Sequence, residues 1–528
     1  MTSQGQTGRS PGGALLALDQ GTTNTKAVLV DATTGAVTAQ ASSPTSIAFP
    51  APGWVEQDAE QLWTATLTAV ERCLEQAPEV RVLGIGISSQ RETAVCWSRS
   101  TGRALGPALG WQDARTAAWC ADLAEREPGA AATIRRRTGL SLDPMFSAPK
   151  FRAAIDAASA AGAPLSDIAV GTVDAWLLWR LTGRHVTDLG NASRTLLLDL
   201  PSLRWHDELL SLFGIDPVHL PEPCPSDASF GVTTECLGRM PAGVPVLAVL
   251  ADSHAALYHH GCTVPGTGKA TYGTGTSVMS PTADAGGAPH GIATTVAWHV
   301  AGRPTYAREG NIVASGSALD WMASTLGVPE GTAGGAYLEA LATGVPDSGG
   351  ACFVPAFSGL GAPYWDRSAV GVLSGVTAGT TRGQLARAAL EAVAHQVADV
   401  VEAMESDGST RIGTLHADGG ATASGTLMQI QSDLLGRPLD VASSPAASAL
   451  GAARLAAEQL GVAVPVATPG RHVTPHPCAV DDRRRAWSQA IARSRGLPVS
   501  QAHPANSEQT SQQTSQQTSE QITERNHP

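Results

Sequence analysis

Charge is scarce in this sequence. Asp, Glu, Lys and Arg make up 16% of its 528 residues, aromatics 5%, and the formal net charge is -12. No Lys/Arg-rich run longer than three residues occurs, which argues against a nucleic-acid surface. No apolar run approaches the roughly 18 residues of a membrane span; Val246–Ala251 is typical of the longest. The opening residues are polar and Gly-rich, without the roughly 7–15-residue apolar core of a signal peptide. Eight cysteines (Cys73, Cys96, Cys120, Cys224, Cys236, Cys262, Cys352, Cys478) are scattered, with no C-x-x-C pair. That argues against a zinc site or a disulfide frame and for buried free thiols in a reducing cytoplasm.

What the chain has in quantity is length and glycine, 56 of them. So many residues exceed what one core organises, so two or three domains are expected. Low charge with abundant glycine suits an α/β enzyme with many backbone-lined turns. The organising stretch is Leu15–Val30, which reads as an apolar strand, a tight polar turn and a second apolar strand. The turn, Asp19-Gln20-Gly21-Thr22-Thr23-Asn24-Thr25-Lys26, combines a carboxylate, a glycine, three threonines and a lysine. Successive N–H groups and hydroxyls of this kind cup phosphate oxygens, and Lys26 adds positive charge. Asp19 at the strand end is suited to hold Mg²⁺ through its waters. Read alone, the turn is equally compatible with an ordinary surface hairpin.

Further along, Asp58 is placed to cap a helix running through Cys73. A buried strand, Val82–Ser88, ends in Ser89-Gln90-Arg91-Glu92-Thr93, and ligands gather past such strand ends in open α/β sheets. Arg91 offers donors and Glu92 acceptors, the mixture a polyhydroxy compound needs; a solvated charge pair is the plainer alternative. Val246–Ala251 delivers Asp252 to the end of another buried strand. Partial burial raises the pKa of such an acid and suits it to base work, although a helix cap is also consistent. Ala270–Val278 repeats the strand, Gly/Thr turn, strand pattern, so a duplicated architecture is expected, one phosphate hairpin per lobe. Gly266-Thr267-Gly268-Lys269-Ala270 lacks the spacing of a P-loop. A long helix is expected over Gln384–Glu405, a strand and glycine turn over Leu415–Ala421, and further helices through Leu435, over Gly451–Leu460 and over Ala486–Ser494. From Ser500 the Gln/Ser/Thr repeats cannot bury a core.

In this order, the pieces resemble the FGGY carbohydrate kinases, and within them those that act on glycerol. The segments that carry the resemblance include Leu18–Thr23, Pro52–Glu56, Gln90–Thr93, Gly171–Asp174, Asn191–Thr195, Thr271–Gly275, Asp418–Ala421 and, most specific, Val354–Asp366. The resemblance covers about Leu15 to Gln459. It implies two RNase H-like α/β lobes of the actin and sugar kinase superfamily around a central cleft. The expected division is a disordered tail at 1–12, an N-terminal lobe at 13–258 with polyol and first phosphate turn, a nucleotide-binding C-terminal lobe at 259–498, and a disordered tail at 499–528. Asp252 would be the general base. Arg91, Glu92, Trp111, Met145, Asp252 and Ser253 would line the polyol site. Thr22, Thr23, Asn24, Lys26 and Thr274 would meet phosphates; Gly316, Asp320, Gly420, Ala421 and Ser424 would meet the rest of the nucleotide; Asp19 would organise Mg²⁺. The implied reaction is phosphorylation of a primary hydroxyl of glycerol by ATP, giving glycerol 3-phosphate and ADP. No nucleic acid or membrane takes part, and a homo-oligomer is compatible with the sequence.

Four positions depart from that family's pattern. Met145 stands where a Tyr is usual, Ser253 replaces a Gln, Lys26 an Arg and Ser424 an Asn. Met145 and Ser253 fall in the polyol pocket, and each removes a hydrogen bond worth roughly 0.5–1.5 kcal/mol. Two alternatives therefore stay open: the same chemistry on another small polyol or ketose, and a nucleotide-binding regulator without turnover.

Overall fold

An unbroken apolar run from Ala14 to Leu18 explains why the first strand is buried on both faces. In β1 (Ala14–Gln20), Leu16 and Leu18 join one core with Ala27 and Leu29 of β2 (Asn24–Asp31). That core is closed by Leu62, Ala69, Val70 and Cys73 of α1 (Ala59–Glu75), which follows β3 (Val37–Pro44). The opposite face carries Leu15 and Ala17 to a different helix, far along the chain. Asp58 does cap α1: its Oδ1 accepts from the N–H groups of Glu60 at 2.8 Å and Gln61 at 3.3 Å. The sheet of this lobe is completed by β4 (Val82–Ser89) and β5 (Val246–Ala251), and α2 (Asp252–His259) follows β5. The sheet order is β5-β4-β1-β2-β3, with β4 parallel to β1 and to β5 and the other pairs antiparallel.

The second lobe contains β6 (Thr267–Tyr272), β7 (Thr276–Thr282), β8 (Ala293–Val300), β9 (Arg303–Ile312) and α3 (Gly316–Thr325). It continues with α4 (Arg382–Glu405), β10 (Thr414–Asp418), α5 (Gly425–Leu435), β11 (Leu439–Ala442), α6 (Ala447–Gln459) and β12 (Pro469–Val473). Its sheet runs β8-β9-β7-β6-β10-β11-β12. Without the outer strands β8 and β12, the order β11-β10-β6-β7-β9 and its strand directions reproduce the first lobe. The duplication expected from two hairpins is thus a duplication of whole sheets.

The computed structural model describes residues 13–498, apart from 287, 409–410, 445, 463, 465–468 and 478–479. The expected tails at 1–12 and 499–528, and Cys478, lie outside the described residues. α4 begins at Arg382, two residues before the expected start, because Thr381 and Gln384 form a reciprocal capping box. The final helix, Val480–Ser494, begins earlier than the expected Ala486. β8, β9 and α3 have no counterpart among the elements expected from sequence. Among the described residues the thiols are free, yet Cys236 is exposed and Cys224 and Cys352 are half-buried, which corrects the expectation of buried cysteines. Among the described residues no helix is long and apolar enough to cross a membrane.

The lobes meet through two related helices. α6 belongs to the C-terminal lobe in sequence, yet Ala449 and Ala453 pack on Ala17, Val28 and Val30 of the first sheet. It also lies against α2: a Cβ at Gly451 would come within 1.9 Å of the Ala255 carbonyl oxygen. Glycine here is what allows the two backbones to touch.

Candidate active site

Strand register gathers the first half of the site. Gln20 pairs with Ser89, and Ser89 with Ala251, so three parallel strands stop at one level. The next residues are the 21–24 turn, Gln90–Thr93 and Asp252. They line the carboxyl edge of the sheet, where ligand sites of such sheets form. The turn is closed by the Gly21 N–H on the Asn24 carbonyl at 3.0 Å. Its Thr22 carbonyl accepts from Gln57 Nε2 at 2.8 Å and Thr45 Oγ1 at 2.9 Å. Trp111 Nε1 donates to Thr22 Oγ1 at 3.1 Å. A loose surface hairpin has no such scaffold. Thr23 and Asn24 remain exposed at the tip.

Asp19 and Lys26 face each other across the β1–β2 ladder, Nζ lying 3.9 Å from Oδ2. Asp19 Oδ1 accepts from Ser88 Oγ at 2.9 Å. Burial pushes the Asp19 pKa up to about 6; Lys26 pulls against that shift and the nearby Asp252 adds to it.

Arg91 and Glu92 are only 7% and 4% exposed, which removes the reading as a solvated pair. Arg91 Nε lies 3.6 Å from Asp252 Oδ1. Arg91 Nη1 donates to Glu309 on β9, 2.8 Å from Oε2 and 2.6 Å from Oε1. Arg194 Nε donates to Glu92 Oε1 at 2.6 Å. Glu92 itself has φ 61°, a left-handed conformation costing a non-glycine residue about 1–2 kcal/mol. Asp252 opens α2 without serving as its N-cap, a position held by Ala251. Burial raises its pKa above the ordinary carboxylate value, while Arg91, the Ser253 N–H (2.6 Å from Oδ1) and Lys269 pull it back. Its side chain keeps 35% of its surface open, enough to meet a substrate.

Met145 and Ser253 are both buried. The Met145 carbonyl accepts from Lys150 Nζ at 2.7 Å, and the same amine donates to the Gly110 carbonyl at 3.1 Å. Lys150 therefore ties the Met145 loop to the residue before Trp111. Burial pulls its pKa down to about 7, against the attraction of Glu92, Asp113 and Asp143. Lys150, Arg194, Lys269 and Glu309 are not among the site residues expected from sequence. A signal was present: the chain has only three lysines, Lys26, Lys150 and Lys269. Lys150 and Lys269 are fully buried. Lys269 Nζ donates to Thr271 Oγ1 at 2.8 Å, and its charge acts on Asp418 and Asp252.

The C-terminal lobe presents the matching edge. Thr271 pairs with Asp418 and Ala417 with Val441, so the 273–275 turn and the Gly419-Gly420 turn lie side by side. Thr274 is exposed at its tip, and its carbonyl accepts from the N–H groups of Ser315 at 3.0 Å and Ser317 at 3.1 Å. Gly316 sits so close that a Cβ there would lie 2.5 Å from the Gly273 oxygen. Its lack of a side chain serves the turn. Asp320 is exposed on α3. Gly419 (φ +96°) likewise has no room for a Cβ, 2.5 Å from the Tyr272 oxygen, whereas Gly420 faces open space. A groove of about 380 Å³ opens beside them, lined also by Thr422, Ser443, Ser444 and Arg471. Ala421 packs partly against the lobe's core. Ser424 Oγ caps α5 through the Leu427 N–H at 3.0 Å and bonds Glu339, so that hydroxyl is already engaged. Asp418 Oδ2 accepts from His260 Nε2 at 2.7 Å, and both that bond and Lys269 hold its pKa down although burial opposes them.

Two family models match this chain, the N-terminal domain of the FGGY carbohydrate kinases over residues 14–258 and the C-terminal domain over 268–460. The chain belongs to the FGGY family of carbohydrate kinases. As an FGGY kinase it is a phosphotransferase with an alcohol acceptor. It is 42% identical over 496 residues to a glycerol kinase of Alkalilimnicola ehrlichii, covering 92% of this chain and 98% of that one. It is also 42% identical over 503 residues to an apulose kinase of Pectobacterium atrosepticum, covering 92% and 99%. Among solved structures, a Plasmodium falciparum glycerol kinase with ADP superposes with TM-score 0.82 at 26% identity, covering 92% of this chain and 98% of that one. A xylulose kinase of Rhodospirillum rubrum gives TM-score 0.78 at 29% identity, covering 91% and 98%.

Proposed function

We propose that this FGGY kinase transfers the γ-phosphoryl group of ATP to a primary hydroxyl of glycerol, giving glycerol 3-phosphate and ADP. The observation that carries the mechanism is Asp252, held level with the first phosphate turn and 3.6 Å from Arg91. Phosphoryl transfer asks for in-line positioning and charge neutralisation. The attacking hydroxyl gives its proton to the Asp252 carboxylate as its oxygen bonds the γ-phosphorus and the bond to the β-phosphate oxygen breaks. Arg91 donates to the polyol, Glu92 accepts from it, and Trp111, Met145 and Ser253 wall the pocket. Thr22, Thr23, Asn24, Lys26 and Thr274 neutralise the phosphates. The groove beside Gly420 and Ala421 takes the nucleoside, with Gly316, Asp320 and Ser424 on its border. Asp19 fits a divalent cation, because burial leaves its carboxylate short of positive charge, its pKa standing at about 6. Asp19 would hold Mg²⁺, which when bound adds charge neutralisation to the phosphates. Polyol and the first phosphate turn belong to residues 13–258 and nucleotide to 259–498. Free thiols support a reducing cytoplasm as the compartment.

A second acceptor is favoured by one specific observation. The apulose kinase is as similar as the glycerol kinase, and Met145 and Ser253, both buried, are the two departures assigned to the acceptor pocket. An ADP-release assay across glycerol, erythritol, xylulose, ribulose and apulose decides between the acceptors. Glycerol is expected to give the highest kcat/KM; a value at least tenfold below that of another acceptor replaces it.

A further inference from the structure

Glu309 is the one carboxylate of the C-terminal lobe that reaches, among the described contacts, into the arginines of the polyol site. It is 0% exposed, and its side chain meets Arg91 at 2.6 Å and Arg194 at 3.2 Å. Each of those arginines also holds one acid of the proposed substrate site: Arg91 lies 3.6 Å from Asp252, and Arg194 lies 2.6 Å from Glu92. Arg194 and Arg91 hold the Glu309 pKa down at about 2 although burial opposes them, so it stays charged throughout the working range. On its own side, Glu309 stands on β9 opposite Met279, three residues before Ile312. Ile312 pairs with Thr276, immediately after the second phosphate turn, and the same chain segment then clamps that turn through Ser315 and Gly316. A β-ladder, stiff compared with any loop, therefore runs from the 273–275 turn to the arginine pair.

We infer that Glu309 is a positioning residue that sets Arg91 and Arg194 from the opposite lobe, making the polyol site complete only when the nucleotide lobe is docked against it. Without this negative charge Arg91 would turn fully onto Asp252 and become unavailable to the substrate. This rests on the polyol kinase reading above. The test is steady-state kinetics of Glu309→Gln and Glu309→Asp, with ADP affinity measured separately by calorimetry. Glu309→Gln is expected to raise the glycerol KM at least tenfold and to lower kcat at least tenfold, with the ADP Kd within threefold of wild type. Glu309→Asp keeps the charge but has shorter reach, and should recover part of both. Kinetic constants within twofold of wild type in Glu309→Gln overturn the inference. So do equal losses of ADP and glycerol affinity, or failure of both variants to fold, since either outcome makes Glu309 a purely structural residue. If wild type phosphorylates another acceptor, the same comparison is made with that acceptor; only a wild type that phosphorylates none of them fails the underlying reading.

Discussion

The two lobes share a strand order and strand directions, yet carry opposite chemistry at the same edge. In the N-terminal lobe the strand ends bear side-chain charge: Asp19, Arg91, Glu92 and Asp252. In the C-terminal lobe they bear bare backbone: Gly273, Gly275, Gly419 and Gly420, while the acid there, Asp418, is occupied by His260. On the proposed assignment, a polyol would be recognised through hydroxyls, each needing a donor or acceptor, by the lobe that supplies charged side chains. A nucleoside, with its flat faces, would lie on the lobe that supplies cleared surface and turn N–H groups. One strand order thus carries two different sets of residues at its strand ends.

The comparison breaks most sharply at Asp252. Asp252→Asn should lower kcat by about 10²–10⁴, the usual worth of general base catalysis. ADP affinity, read by calorimetry, should stay within threefold; equal losses would make the residue structural, and abolished turnover would dispose of a non-catalytic regulator. The mirror experiment in the other lobe is Gly419→Ala, whose Cβ collides with the Tyr272 backbone. It should cost about 1–3 kcal/mol of stability and weaken ADP binding by about tenfold or more, leaving the polyol KM nearly unchanged.

Asp19 sharpens the contrast through pH. Its folded pKa, about 6, lies above its ordinary 3.8, so ionising it destabilises the ligand-free fold. The favourable contribution is complete below pH 3.8 and is lost as pH rises through about 6. Asp19→Asn should therefore melt higher than wild type at pH 7.5, by up to about 3 kcal/mol, and the gap should close toward pH 4. The same substitution should cripple turnover at every Mg²⁺ concentration. A gap independent of pH would refute the charge explanation. The smallest effects belong to Met145→Tyr and Ser253→Gln, which restore the side chains usual in glycerol kinases. Each should improve glycerol KM by about threefold to tenfold, the worth of one hydrogen bond, with kcat little changed. No response would mean that neither side chain reaches the acceptor.

Several parts of the fold were legible because their causes are local. The β1–β2 hairpin, the Asp58 cap and the strand Val246–Ala251 follow from apolar period and capping chemistry within a few residues. Glu309 was not legible. It stands in the polar stretch Arg308-Glu309-Gly310-Asn311, which carries no apolar period, and its burial comes from Arg91 and Arg194 of the other lobe.

By itself the sequence determined the two hairpins and their duplicated pattern, because these depend on spacing along one segment. Only the tertiary structure decided that Arg91 answers to Glu309 218 positions away, that Ser424 spends its hydroxyl on a helix cap, and that α6 packs on the other lobe's sheet. Those outcomes depend on which surfaces are removed from water together. Burial of that kind is a property of the assembled lobes, and pairing of buried charges follows from it.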